Sequence, residues 1–200
     1  MTPIRSRAWM THLRDRWIIG LTAGQLVIAL CLLVIPVLVP VPGTDGVLPV
    51  AAFLPLVVAV PAALSLRERL AWLGTGVAAR RLGILRTSTS LGADAIVFGA
   101  CAVVASIAPS SIATASGVWL PSAVACAAAV EGAAYLVAVV SVRFAWLVAA
   151  TLGGVTLLGL PPNGIPLVFS MPSWVGAAIF VLGFAAYAAT SMRRRPDGND

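Results

Sequence analysis

Six apolar runs, each close to the length of a membrane-crossing helix, alternate with gaps, and every second gap holds arginine while the others hold none. The runs cover residues 17–39, 48–65, 91–108, 118–140, 144–160 and 173–191. A hydrocarbon core about 30 Å thick needs roughly 20 helical residues to cross it. Arg5, Arg7, Arg14 and Arg16 precede the first run, and Arg67, Arg69, Arg80, Arg81 and Arg86 lie between the second and third. Arg143 separates the fourth from the fifth, and Arg193, Arg194 and Arg195 close the sixth. The opposite gaps, 40–47, 109–117 and 161–172, carry Asp45 and no base. Cytoplasmic loops collect positive charge, so the expectation is an all-α polytopic membrane protein with six spans and both termini in the cytoplasm. One missed or extra span would scatter the arginines to both faces, so the count checks itself.

Composition agrees. With 60% hydrophobic residues, 10% charged and a mean hydropathy of +1.01, the chain is too poor in polar surface for water. The net charge of +6 comes in short clusters at the ends of apolar runs, which argues against a nucleic-acid face. Cys31, Cys101 and Cys126 fall inside apolar runs without CxxC spacing, so neither a disulfide framework nor a zinc site is expected. Trp17 and Trp146 fall at expected inner ends and Trp119 and Trp174 at outer ends, as interfacial anchors do.

The expected organisation is an interfacial amphipathic segment over 1–16, a six-span domain over 17–192 and a cytoplasmic tail over 193–200. In the first segment Trp9, Met10, Leu13 and Trp17 share a helical face flanked by arginines, the pattern of a helix lying among headgroups. The connection over 65–86 has Leu66, Leu70 and Leu73 at helical spacing, a break at Gly74-Thr75-Gly76, and a second basic piece over 77–86. It reads either as two short surface helices with a glycine joint or as a basic loop that serves orientation alone.

Charge inside a span is costly and usually functional. Glu131 stands near the middle of the fourth run, beside Ala128 and Gly132, a small-xxx-small pair expected to pack closely on another helix. Gln25, the one amide of the first run, is a candidate donor to it; the two read either as a polar spot in a substrate, cation or proton path or as a neutral, hydrogen-bonded packing contact. Asp94 reads as the N-terminal acid of the third helix, following Ser88, Thr89 and Ser90. Pro36 in the first run and Pro49, Pro55 and Pro61 around the second are expected to kink helices. The stretch 161–172, apolar yet rich in breakers, is expected to form short helices or a re-entrant dip. Enzymatic chemistry is not expected: His12 is the single histidine, and GxSxG, HExxH and P-loop patterns are absent.

In layout the chain resembles the small six-span permease subunits of ABC exporters of the second export class, as found in actinobacteria. Leu66, Glu68, Arg69, Ala79, Arg80 and Arg86 look like that family's acidic-then-arginine pattern around a coupling helix. Arg143-Phe-Ala-Trp146 is similar to its turn before the fifth helix, and the broken stretch before the sixth run matches its re-entrant segment. The resemblance implies a permease in the bacterial inner membrane, pairing with a second copy or a paralogue, with ATP and magnesium held by a separate ATPase subunit. It implies coupling through Glu68, Arg69, Leu70, Trp72, Leu73, Arg80 and Arg81, with span two tilting as the ATPase closes. Glu131 departs from the basic or amide residue of related chains. The alternative is a free-standing ion- or proton-coupled carrier, or an immunity-type membrane protein.

Overall fold

A computed structural model of the chain describes residues 18–35, 37–40, 47–65, 76–107, 120–157 and 167–193. The expected interfacial segment, the tail beyond 193, and Glu68, Arg69, Leu70, Trp72 and Leu73 lie outside the described residues. So do the side chains of Arg80 and Arg81.

The described chain is mostly helical: α1 (Ile18–Val34), α2 (Leu54–Ser65), α3 (Gly76–Ile107), α4 (Leu120–Val140), α5 (Val142–Val155) and α6 (Ser173–Arg193). Stretches of α3 (Thr87–Ile107), α4 (Leu120–Val140) and α6 (Ser173–Thr190) are long and apolar enough to cross a membrane. The apolar helices α1, α2 and α5 are shorter; α5, for example, rises about 21 Å. Exposed Ile19, Val27 and Ile28 on α1, Leu91, Ile96 and Val103 on α3, and Val181 and Leu182 on α6 form an apolar exterior. A surface of this kind suits lipid and not water.

Several boundaries differ from the sequence expectation. The first helix stops at Val34, where the Ile35 N–H makes the last helical bond, to the Cys31 carbonyl. The kink expected at Pro36 falls on a position outside the described residues, and the helix is complete before it. The chain then forms a hairpin, β1 (Leu38–Pro40) against β2 (Val47–Pro49), with Val39 opposite Leu48. A 3-10 turn, Val50–Phe53, leads into α2, so the first third of the second apolar run is not α-helical. Pro55 falls in the first turn of α2, where its missing N–H costs nothing, and Pro61 alone lies inside the helix. The fifth helix closes at Val155, with the Thr156 N–H bonded to the Leu152 carbonyl. Leu167–Phe169 forms a 3-10 turn with Val168 fully buried, in keeping with the expected short helices before the last span.

The largest departure concerns the connection after α2. Its second basic piece is not a separate surface helix. Residues 76–86 run without a break into the third apolar run, as one 32-residue helix. The run Thr87-Ser88-Thr89-Ser90 is a poor helix former in isolation, and the burial of Thr87 and Thr89 shows that tertiary packing supports it.

Helix α4 is the centre of the bundle: it is buried along most of its length and touches α2, α3, α5 and α6. Its tightest partner is α6. A Cβ added at Gly132 would lie 2.6 Å from the Phe180 Cα, one at Gly183 would strike the Gly132 carbonyl, and one at Gly176 the Ala125 carbonyl. The close helix packing expected at this face is seen at Gly132, and Ala125, two turns earlier, makes a second close approach. Because Ala125 faces Gly176 and Gly132 faces Gly183, the two helices run parallel. On the other side, Gly153 of α5 meets Leu56 of α2.

Two apolar clusters fill the interior. One joins Ala29, Leu33, Leu54, Val58, Val97, Cys101, Ala123 and Cys126, with Val168 beneath the turn before α6. The other joins Ala59, Ala63, Val130, Ala134, Ala138, Ala145, Ala149 and Tyr187.

Candidate functional site

The chain has seven acidic residues, and only Asp94 and Glu131 fall within the apolar runs. Thirty-seven positions apart in sequence, they meet in the fold. Asp94 lies well inside α3, five turns from its start at Gly76. The capping role expected for it is therefore wrong: the helix begins long before Ser88, so no free N-terminal amides exist near Asp94 for its carboxylate to cap. Tyr135, one helical turn beyond Glu131 on the same face of α4, donates from its Oη to Asp94 Oδ2 at 2.6 Å.

Glu131 is 1% exposed and Asp94 7%. The two carboxyls are direct neighbours. Neither Oε1 nor Oε2 of Glu131 has a hydrogen-bond donor. Both facts follow from one arrangement: two acceptor groups face each other, and a hydrogen bond can join them only when one carries a proton.

Aromatic rings wall this centre. The chain has two tyrosines, and both are here: Tyr135 and Tyr187 have ring centroids 5.2 Å apart. Phe184 meets Tyr135 edge-on at 5.4 Å, and Phe180 meets it at 6.1 Å. Phe98 of α3 then packs edge-on against Phe180 at 5.4 Å. The rings come from α3, α4 and α6, so the polar pair sits at a three-helix junction with a hydrophobic collar around it.

Of the residues picked from sequence, Glu131 lies at this centre and Gln25 does not. Gln25 donates its Nε2 to the Val58 carbonyl of α2 and so cross-links α1 to the helix that Pro61 interrupts. The pairing of Gln25 with Glu131 is thus replaced by a bond to backbone. Proline at 61 deprives the Val57 carbonyl of its helical donor, and the Gln25 bond falls on the next carbonyl along, that of Val58. Arg80 and Arg81 share the rod of α3 with Asp94. Tyr135 and Asp94 were missed as partners because helical spacing says nothing about contacts between helices. The available signal was simpler: two acids inside apolar runs must meet a partner somewhere, and the spans contain no base.

Among the described residues no group of three or more His, Cys, Asp or Glu could hold a metal. Two carboxyls and a phenol at this depth can instead bind and release a proton, or hold two helices together while the proton stays bound. No family model, curated protein or solved structure matches the chain.

Proposed function

We propose that the chain crosses the membrane six times with both ends in the cytoplasm, and that it is the permease subunit of an ATP-driven exporter of a peptide, lipid or drug-like amphiphile. The six α-helices match the six apolar runs in order, which supports the first part. The two interior clusters add support. Late residues of α1 and α3 join early residues of α2 and α4 in one, and late residues of α2, α4 and α6 join early residues of α5 in the other. Helices that alternate in direction sort by depth in this way. Parallel packing of α4 on α6, with α5 between them in sequence, fits the same alternation. A cysteine-free variant with single cysteines at Asp45, Ser111 or Asn163 is expected to react with an impermeant maleimide from outside intact cells. Reaction from outside at Thr75 or Gly198 would remove the six-span reading.

One observation carries the exporter reading: α3 is a single rod of about 48 Å, longer than the hydrocarbon core it crosses. Its basic beginning, residues 76–86, projects about 16 Å ahead of the apolar part. A membrane subunit driven by a separate ATPase needs an element that takes force outside the bilayer and delivers it inside. A continuous helix does so without loss at a joint. This changes the expected route: force applied around Arg80 and Arg81 moves span three, where the resemblance implied span two.

In this reading Trp72, Leu70 and Leu73 anchor the ATPase, and Glu68, Arg69, Arg80 and Arg81 form the charged rim. ATP and magnesium are bound by that partner, and a second permease copy or paralogue completes the path. Truncating a buried interface anchor typically costs about 2 kcal/mol or more. Trp72→Ala is therefore expected to release the ATPase, or to uncouple hydrolysis from export, with membrane insertion unchanged. Co-purification in mild detergent followed by mass spectrometry reads this directly. Absence of any ATPase, together with wild-type behaviour of Trp72→Ala in cells, would replace the exporter by a free-standing carrier. That second reading draws on the buried Asp94 and Glu131 pair.

A further inference from the structure

We propose that Asp94 and Glu131 form a proton-binding latch between α3 and α4: one shared proton holds the two carboxyls together, and displacement of α3 lets it go to water. The latch rests on the membrane placement of these helices and is independent of the ATPase.

Charge balance is the first constraint. Both carboxyls are almost completely buried, and Glu131 meets no donor. Every arginine of the chain lies outside the apolar runs, and the one histidine, His12, precedes them all. No side chain within the spans can therefore neutralise the pair. Two carboxylates at one buried site repel each other and lose their hydration, so they do not both stay ionised. A proton between them removes one charge and supplies the missing hydrogen bond in a single step.

The groups around the pair do not offer another solution. Tyr135 already gives its hydrogen to Asp94, and Tyr187 of α6 lies beyond it against the Tyr135 ring. The described residues of α1 and α2 bring no charged group, and on α5 the charged Arg143 lies at the helix start, outside the apolar run. Cys101 and Cys126 belong to the other apolar cluster. An alkali cation would need several oxygen ligands. The aromatic collar of Phe98, Phe180 and Phe184 adds none.

The latch can move because its two halves sit on different bodies. Glu131 and Tyr135 belong to α4, which is locked to α6 by backbone-to-backbone packing at Gly132 and Gly183. Asp94 belongs to α3, whose other end emerges from the apolar zone at residues 76–86. A shift of that rod separates the carboxyls and breaks the Tyr135 bond. Water then reaches Glu131, and the proton leaves as the carboxylate becomes hydrated.

Infrared spectroscopy of the full chain in lipid vesicles tests this, since a protonated carboxyl has a carbonyl band distinct from carboxylate and amide. The other five acids lie outside the apolar runs, and the two acid variants decide whether the band belongs to the pair. Wild-type protein near neutral pH is expected to show one such band, shifted in heavy water. Glu131→Gln and Asp94→Asn are each expected to abolish it. Tyr135→Phe, which keeps the ring, is expected to move it, because Asp94 loses its donor. Added sodium or potassium should leave it unchanged. No band in the wild type near neutral pH overturns the latch, even if both acid variants fail to fold. Loss of the band on adding sodium or potassium overturns it too, and assigns the site to an alkali cation. A band that persists in Glu131→Gln places the proton elsewhere and likewise overturns the latch. Failure of ATPase co-purification would leave all of these results standing, so the two proposals fall separately.

Discussion

Gly183→Leu should prevent the chain from accumulating as folded protein, while Gly99→Leu should behave as wild type. Both substitutions add the same side chain to a helix glycine, so the difference isolates packing. At Gly183 the first added carbon already strikes the Gly132 carbonyl, and nothing lies within 4 Å of the same carbon at Gly99. Overpacking usually costs about 1–3 kcal/mol when side chains can rearrange. Here the obstacle is backbone, which no rotamer change can clear, so α4 and α6 must separate along the seam from Gly176 to Gly183. In lipid, helices associate largely through such close packing, and no hydrophobic gain replaces it. The readout is built in: Cys101 and Cys126 are 0% exposed and react with a maleimide dye only when the bundle opens. In a Cys31→Ser background, Gly183→Leu is expected to react at once, and Gly99→Leu only on heating. Equal thermal profiles for the two would show that the α4–α6 seam is not the bundle's main contact.

Tyr135→Ala is the second large effect. The ring touches Phe180, Phe184 and Tyr187, and its hydroxyl serves Asp94. Removing a buried aromatic ring typically costs about 3–5 kcal/mol. For a chain of this size that lowers the unfolding midpoint by roughly 10 °C. Tyr135→Phe separates the two contributions. It keeps the ring and leaves Asp94 Oδ2 without its donor, at a cost of about 1–3 kcal/mol. The same dye assay should rank wild type above Tyr135→Phe, and Tyr135→Phe above Tyr135→Ala. If phenylalanine and alanine prove equally damaging, the hydroxyl matters more than the collar, and the three-helix junction is held by its polar centre.

Residue order alone determined the helical class, the apolar runs and the gap in which each arginine falls. It could do so because membrane insertion is a local transaction: each run of some 20 residues meets lipid or fails to on its own hydropathy. Proline positions were legible too, although their effect was not. Pro55 opens α2 and Pro61 sits within it, because the outcome depends on where the neighbouring elements let the helix begin. Contacts between helices were beyond the sequence pattern. Small residues recur throughout α4, and nothing in their spacing says that Ala125 and Gly132 are the points where α6 comes closest. Gln25 and Asp94 were each visible as polar residues in apolar surroundings, yet their partners, the Val58 carbonyl and Tyr135, lie 33 and 41 residues away. The bundle's geometry selects them, since a buried polar group takes whichever partner the packing brings within reach. The join of residues 76–86 to α3 was decided in the same way. A basic segment with two glycines, followed by four hydroxyl residues, has weak helical preference, and only continuation from a packed span makes it one rod.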